Sequence, residues 1–302
     1  VNHAALLLAV LIVEAAVGYP RRWPHPVMAV GALIAAVERR WNRGGAVRQR
    51  VGGVALLLLL IGVAVAIGVA IERLGYGWGW VLVVAAGTTG LAQRSLHDHV
   101  RAVLVPLAAG DLPAARGAVA MIVGRDTDAL DEHGVATAAI ESLAESFCDG
   151  VVAPAFWLLV GGLPGLFAAK AINTADSVVG HRTPQFVWFG WASARADDGV
   201  NWVPARIAGA LICLAGRGGW RTMLRDAAQH ASPNGGWPEA AMAGAIRRRL
   251  GGAVRYDGVP AARAVLGDGA LPGAADLARA LSVYRVACLL LWIVVGACAW
   301  AL

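Results

Sequence analysis

Glu141, Glu145 and Asp149 recur at a four-residue interval in ATAAIESLAESFCDG, a spacing that lays three carboxylates along one stripe of a helix. Like charges at that interval repel, and no Lys or Arg occupies a neighbouring helical position. A metal ion would relieve them, as would cationic groups from another segment. The stripe belongs to residues 124–206, which hold ten of the twenty acids and the only lysine, Lys170. Further along, Lys170, Asn173, Thr174, Asp176 and Ser177 crowd one passage before Gly180-His181-Arg182, and ARADDGVNWVPAR packs Arg195, Asp197, Asp198, Asn201 and Arg206 around a turn. Adjacent aspartates with an Asn four residues on offer the hard oxygen ligands of magnesium, and arginines form bidentate forks for phosphate. Gly124-Arg125-Asp126-Thr127 reads as a loop entering a helix, with Asp126 or Thr127 as N-cap and free N–H groups suited to phosphate.

The frame around these residues is greasy. The chain has 302 residues, 58% of them hydrophobic and only 15% charged. Its mean hydropathy is +0.61. That is more apolar surface than a soluble globule of this size buries, so integration into a membrane is the first expectation. Apolar runs occupy residues 4–17, 51–71, roughly 78–92, 150–169, 203–216 and 283–302. The second and last are long enough for a hydrocarbon core, which asks for about 20 helical residues. The first run has no basic residue before it and Arg21-Arg22 after it, the reverse of a cleavable signal, so it is expected to stay as an anchor. Net charge is +6, carried almost wholly by arginines beside apolar runs, and no aromatic-interleaved basic stripe argues for nucleic acid. Cys148, Cys213, Cys288 and Cys298 form no close-paired motif and are expected as free thiols.

Taken in order, run one carries Glu14, a carboxylate turned toward a polar cavity or reaching the interface. Pro24 and Pro26 clamp His25, a candidate site residue, ahead of an amphipathic segment from Val27 to Trp41. The loop between runs one and two has seven arginines against Glu38, which assigns it to the cytoplasmic side. Runs two and three should form a hairpin returning there. On the helix after run three, Arg94, His97, Asp98 and Arg101 share a side, with Arg94 and His97 suited to the phosphate end of a substrate. Asp111 and Pro113 mark a helix start. Run four contains Pro154, Gly161, Gly162, Pro164 and Gly165, which favours a broken or re-entrant element over a simple span. In residues 217–282 Ser232-Pro233-Asn234-Gly235-Gly236 is a turn able to close over a ligand, and Glu239 begins a small-residue helix ending at Arg247, Arg248 and Arg249. The expected architecture is an all-α, polytopic helical membrane protein with about five to six apolar segments, one of them broken or re-entrant. It forms a single integral membrane domain with polar helical insertions at approximately 94–149 and 217–282.

With these residues in view, the chain resembles the cobalamin-biosynthesis family called CobD or CbiB, adenosylcobinamide-phosphate synthase. The resemblance rests on GYPRRWPHPV, IVGRDTDALD, IESLAESFCDGVVAPAFW, KAINTADSVVGHR, ARADDGVNWVPAR and SPNGGWPEAAMAGA, and covers nearly the whole chain. Ser146 stands where an Asn is expected and Glu14 where an Asp is usual. The resemblance implies a multi-pass enzyme of the inner cell membrane with its active site facing the cytoplasm. It would join a propionate carboxylate of adenosylcobyric acid to (R)-1-aminopropan-2-ol or its O-phosphate, consuming ATP with Mg²⁺. Partners implied are the corrinoid and aminoalcohol substrates and the bilayer, together with a homo-oligomer or other corrinoid-pathway enzymes. Chemistry then assigns Glu141, Glu145, Lys170 and Asp176 as catalytic candidates, and Glu141, Glu145, Asp149, Asp197 and Asp198 as metal ligands. His25, Arg94, His97, Arg125, Asp126, Asn173, Arg182, Arg195, Asn201, Arg206 and Asn234 are the candidates for substrate and phosphate. No Gly-rich phosphate fingerprint is present, so nucleotide binding rests on the resemblance. A transporter of a charged solute, or a non-catalytic AmpE-like membrane sensor, would share the same frame.

Overall fold

The computed structural model describes residues 2–20, 24–75, 77–181 and 183–301. In chain order the helices are α1 (His3–Val17), α2 (Pro26–Trp41), α3 (Ala46–Arg73), α4 (Gly79–Thr88), α5 (Gln93–Ala108), α6 (Leu112–Ala120) and α7 (Glu132–Phe147). A π turn (Cys148–Val152) leads into α8 (Ala153–Val179), followed by α9 (Trp191–Val200), α10 (Trp202–Ala215), α11 (Trp220–Asp226) and α12 (Gly236–Ile246). Strands β1 (Leu250–Tyr256) and β2 (Val259–Leu266) precede α13 (Ala274–Ala301). The chain divides into two compact units, each assembled from separated segments. The first holds residues 1–92, 153–201 and 295–302, and the second residues 93–152 and 202–294.

Among the described residues, three helical stretches are long and apolar enough to cross a membrane: Ala46–Arg73, Glu132–Val179 and Ala274–Ala301. α1 and α10 are shorter apolar helices. α4 is ten residues long, about 15 Å of helix, half the depth of a hydrocarbon core. It does not by itself return the chain across a bilayer, as the hairpin of runs two and three was expected to do. Gly75 and Gly79 pack tightly on the preceding turn and use up the start of that run.

In the first unit, α2, α3 and α8 meet around Ile34, Leu56, Leu60, Ala171, Ala175, Val179 and Phe189. The small alanines of α8 let α3 approach closely, the packing rule for helices in lipid. α2 starts where expected, because His25 Nδ1 accepts the Val27 N–H at 3.2 Å and Pro26 needs no partner for a missing N–H. Run four is broken. α8 is non-helical at Gly161 and Gly162, the latter at φ 61°, ψ −155°, backbone that only glycine adopts without strain. The second half restarts at Leu163, whose N–H donates to Glu72 Oε1 at 2.7 Å. Pro164 then sits in a first helical turn, where its missing N–H costs nothing. Glu72 from the end of α3 thus caps a helix in another segment, its carboxylate on the positive end of the dipole. Glu14 in α1 is buried.

In the second unit, Asp111 caps α6 through the Ala114 N–H at 3.1 Å, as the sequence predicts. α7 is capped by Asp131, whose Oδ1 accepts from Gly134 N at 2.7 Å, and not by Asp126 or Thr127. The loop therefore runs five residues further, because Asp126 is engaged elsewhere. Residues 217–282 are not purely helical: β1 and β2 pair antiparallel, with Tyr256 opposite Val259. Asp257 and Gly258 both have positive φ, 49° and 78°, the two-residue turn that joins twisted strands. Asp-Gly between Arg-Tyr and Val-Pro was the signal for it. The described fold is accordingly mostly helical with one β-hairpin, a correction to the all-α expectation.

Candidate functional site

The stripe on α7 is resolved by cations from other segments. Glu141 is 1% exposed and its carboxylate is fully engaged. Oε1 accepts from Gly251 N at 2.7 Å, and Oε2 pairs with Arg125 and with Arg263 Nη1, the latter at 3.1 Å. Arg263 continues through Nη2 to Glu239 Oε1 at 2.9 Å, and His230 Nε2 stands 2.9 Å from the same nitrogen and 3.5 Å from Glu239. α7, α12, β2 and the 124–126 loop thus converge on one charged constellation inside the second unit. The hairpin is tied to that loop at its tip, since Asp126 accepts from Asp257 N at 3.1 Å and Gly258 N at 2.8 Å.

Burial and neighbours set the protonation states. Burial, with the charges of Glu145 and Glu141, pushes the Glu239 carboxyl well above its usual range, although Arg263 opposes this. Burial, then the Arg263 charge, pulls His230 below its usual value. Burial also works against the Arg263 guanidinium, but Glu239, Glu141 and Glu145 outweigh it and hold the cation more firmly charged. Glu145, one turn beyond Glu141, is half-buried and makes no ion pair or hydrogen bond among the described residues. Gly235 lets it in: a Cβ there would lie 3.5 Å from Glu145 Oε1 and 3.0 Å from the His230 ring. Asp149 falls in the π turn, where the stripe ends. Such turns inside helices recur at functional sites.

Arg206 lies on α10 in the same unit. Its guanidinium carbon stands 4.3 Å from the Trp202 ring centre and 4.6 Å from that of Trp237, an aromatic sandwich for a cation. Nη1 also donates to Trp202 O at 2.6 Å and to the buried Asn234 Oδ1 at 3.0 Å. Arg94 and His97 gather on Asp98, at 3.9 Å and 3.3 Å, on a more exposed part of α5.

The remaining candidates belong to the first unit. The two aspartates of the Asp-Asp pair do not converge. Neighbours on a helix point about 100° apart, so Asp197 turns to Asn173 Nδ2 (3.3 Å) and Asn201 Nδ2 (3.1 Å) while Asp198 turns to Arg195 (3.2 Å). Lys170 and Asp176 lie on α8, one turn either side of Asn173. Burial, then the Lys170 charge, lowers the His25 pKa. Gly180 packs on Asp176, where a Cβ would meet Oδ1 at 1.9 Å. Arg182 lies outside the described residues, as do Arg21 and Arg22. Among the described residues no three His, Cys, Asp or Glu side chains are gathered to hold a metal ion. Of the candidate ligands, Glu141 in the second unit is engaged by two arginines and a backbone N–H, and Asp197 in the first unit by two amides.

His230, Glu239 and Arg263 were missed. Glu239 stood in plain view as a carboxylate in SPNGGWPEAAMAGA, whereas Arg263 reads as an ordinary strand residue until the hairpin folds back.

Comparison with known proteins adds an independent line. The family model described as CobD/Cbib protein matches residues 6–284. The Rhodobacter capsulatus protein called "Cobalamin biosynthesis protein CobD" is 49% identical over 98% of this chain and 97% of its own length. Proteins of the same name from Geobacter metallireducens (43%, 87% of this chain and 86% of theirs) and Rhizobium meliloti (41%, 94% and 93%) are also similar. No solved structure matches.

Proposed function

Since the chain belongs to the CobD/Cbib family, we propose that it acts in cobalamin biosynthesis as an ATP-dependent amide ligase. It would join a propionate carboxylate of adenosylcobyric acid to (R)-1-aminopropan-2-ol or its O-phosphate, giving adenosylcobinamide or its phosphate. The observation that carries the reading, beside the family, is the buried Arg125–Glu141–Arg263–Glu239–His230 constellation with Glu145 at its edge.

Amide formation needs an activated acyl group, because a carboxylate oxygen is a very poor leaving group. The substrate carboxylate oxygen attacks a phosphorus of ATP, releasing ADP or pyrophosphate. The amine nitrogen then attacks the acyl carbon, the C–N bond forms, the C–O bond breaks, and phosphate or AMP departs. One amine proton must go to a base. Glu145 suits that role as the carboxylate of the cluster that makes no hydrogen bond or ion pair among the described residues, with His230, whose pKa is lowered, also facing Gly235. Arg263 and Arg125 offset negative charge near the base, and Arg206, fixed between indoles, offers further N–H donors to an anion. Lys170 and Asp176 in the first unit remain candidates on chemistry alone. Magnesium would come with the nucleotide's phosphates, held in part by one or two carboxylates, as Mg²⁺ commonly is. The orientation with the site toward the cytoplasm belongs to this proposal.

The test is direct. Purified protein in detergent is incubated with adenosylcobyric acid, ATP, Mg²⁺ and either free or phosphorylated aminopropanol, and product mass is followed. Amide formed with one amine supports the ligase and names its substrate, whereas folded protein that forms none with either sinks it. Transport is the second reading, favoured by the Glu72-capped break in α8. It predicts solute flux in vesicles with no ATP-dependent product.

A further inference from the structure

Arg39, Arg40, Arg43, Arg48 and Arg50 are all exposed, and none makes an ion pair among the described residues. Glu38, the one acid among residues 38–50, spends its Oε1 on two amides, Asn42 at 2.8 Å and Gln185 at 3.2 Å. Among the described residues, the positive charge of this patch is therefore unneutralised. Its place in the fold is specific: Arg39 and Arg40 lie on the last turn of α2, Arg43 in the short connection that follows, and Arg48 and Arg50 in the first two turns of α3, immediately before the apolar run that begins at Val51. That is the depth at which a spanning helix leaves hydrocarbon for headgroups.

Two tryptophans complete the patch for a structural reason. Gly53 presses against the carbonyl of Phe189, where a Cβ would come within 1.8 Å of the oxygen. This contact sets Trp188 and Trp191 beside the start of α3, so that the Arg50 guanidinium lies 4.5 Å and 5.5 Å from their ring centres. Both indoles are otherwise partly exposed, at 38% and 46%, as is Trp41 at 40%. Indoles favour the membrane interface, and a guanidinium held flat on them keeps its in-plane N–H fork free for phosphate oxygens.

We propose that this arginine collar, flanked by Trp188 and Trp191, is a binding surface for anionic phospholipid headgroups. The ligand class is a phosphodiester attached to an acyl tail. The tail lies along α3 while the phosphate meets the arginines. This surface is independent of the ligase reading.

The experiment uses the full chain in nanodiscs of phosphatidylcholine with and without phosphatidylglycerol, and reads retained lipid by native mass spectrometry. Phosphatidylglycerol is expected to be retained in preference, with retention falling about fivefold for each arginine replaced in the series Arg39→Gln, Arg43→Gln, Arg48→Gln, and falling with added salt. Arg50→Lys keeps the charge and loses the stacked fork, so it falls between parent and Arg50→Gln. Unchanged thermal midpoints in phosphatidylcholine discs show that the variants are folded; a variant that unfolds is replaced by the parent protein titrated with salt. Equal retention of both lipids, or variants that retain phosphatidylglycerol like the parent, overturns the proposal. So does displacement by equimolar glycerol phosphate, which would mark a site for a free anion.

Discussion

Glu141 and Glu239, from α7 and α12, share one guanidinium: Arg263 reaches the first through Nη1 at 3.1 Å and the second through Nη2 at 2.9 Å. Removing that fork leaves Glu141 with Arg125 and Glu239 with His230 as their remaining charged or ionisable neighbours. Arg263→Met is expected to destabilise by about 3–5 kcal/mol, the range for breaking a buried pair from one side. Arg263→Lys rescues little, because an ammonium cannot bridge both oxygens in one plane. Thermal unfolding in detergent reads both, and an Arg263→Met, Glu239→Gln double variant that loses as much as the sum of the singles would refute the shared bridge.

Glu145 separates catalysis from stability. It makes no hydrogen bond or ion pair among the described residues, so Glu145→Gln should unfold near the parent temperature while slowing amide formation by about 10²–10⁴-fold, the range for a lost general base. Glu141→Gln should instead lose stability, since it abandons Arg125 and Arg263. Equal turnover by Glu145→Gln and parent would remove Glu145 from the mechanism.

Acid should loosen the second unit through His230. Its folded pKa lies below 6.5, so the unfolded chain takes up the proton first and stability falls as pH drops from 6.5 toward the folded value. Glu239 works the other way. Its folded pKa lies above 4.5, so its contribution is present at low pH and is lost as pH rises toward the folded value. His230→Gln should therefore turn the acid-side slope of the thermal midpoint positive toward low pH, and Glu239→Gln should steepen the loss. Parallel profiles for all three proteins would contradict the assignment.

The break in α8 depends on two residues. Gly162→Ala adds a Cβ where φ is 61° and Glu72 Oε1 lies 2.2 Å away. Glu72→Ala leaves the Leu163 N–H without its acceptor, a cost of about 1–3 kcal/mol for a buried donor. Both variants should lower the midpoint, and Glu72→Gln, which keeps an acceptor oxygen, should recover most of it.

Asp126 holds the tip of the hairpin. Asp126→Ala should raise amide exchange at Asp257 and Gly258, the two N–H groups it accepts, while leaving α6 protected. Asp126→Asn, with one acceptor oxygen, should protect one of the two.

The helices were legible because their signals are local. Asp111, His25 with Pro26, and the apolar run of α3 each announce an end or a span within a few residues. The break at Gly161-Gly162 was legible for the same reason, though its cap was not, because Glu72 lies 91 residues earlier. The α7 stripe was read as needing cations, and that need was real. Which cations answer it is a long-range fact, set by a hairpin whose Asp-Gly turn was passed over in favour of helix. Asp197 and Asp198 are adjacent in sequence but point to different partners, because neighbours on a helix diverge.

The 122 residues between Glu141 and Arg263 also set an order of events during synthesis. At roughly 5–20 residues per second the ribosome needs on the order of ten seconds to deliver the arginine after the carboxylate has emerged. For that interval Glu141 on α7 has Arg125 but neither Arg263 nor the Gly251 N–H. A nascent chain halted before β2 should therefore leave this helix open to proteases or holdase chaperones, and release of the hairpin should close it. A hairpin made late in the second unit is thus the element that lets an early helix settle.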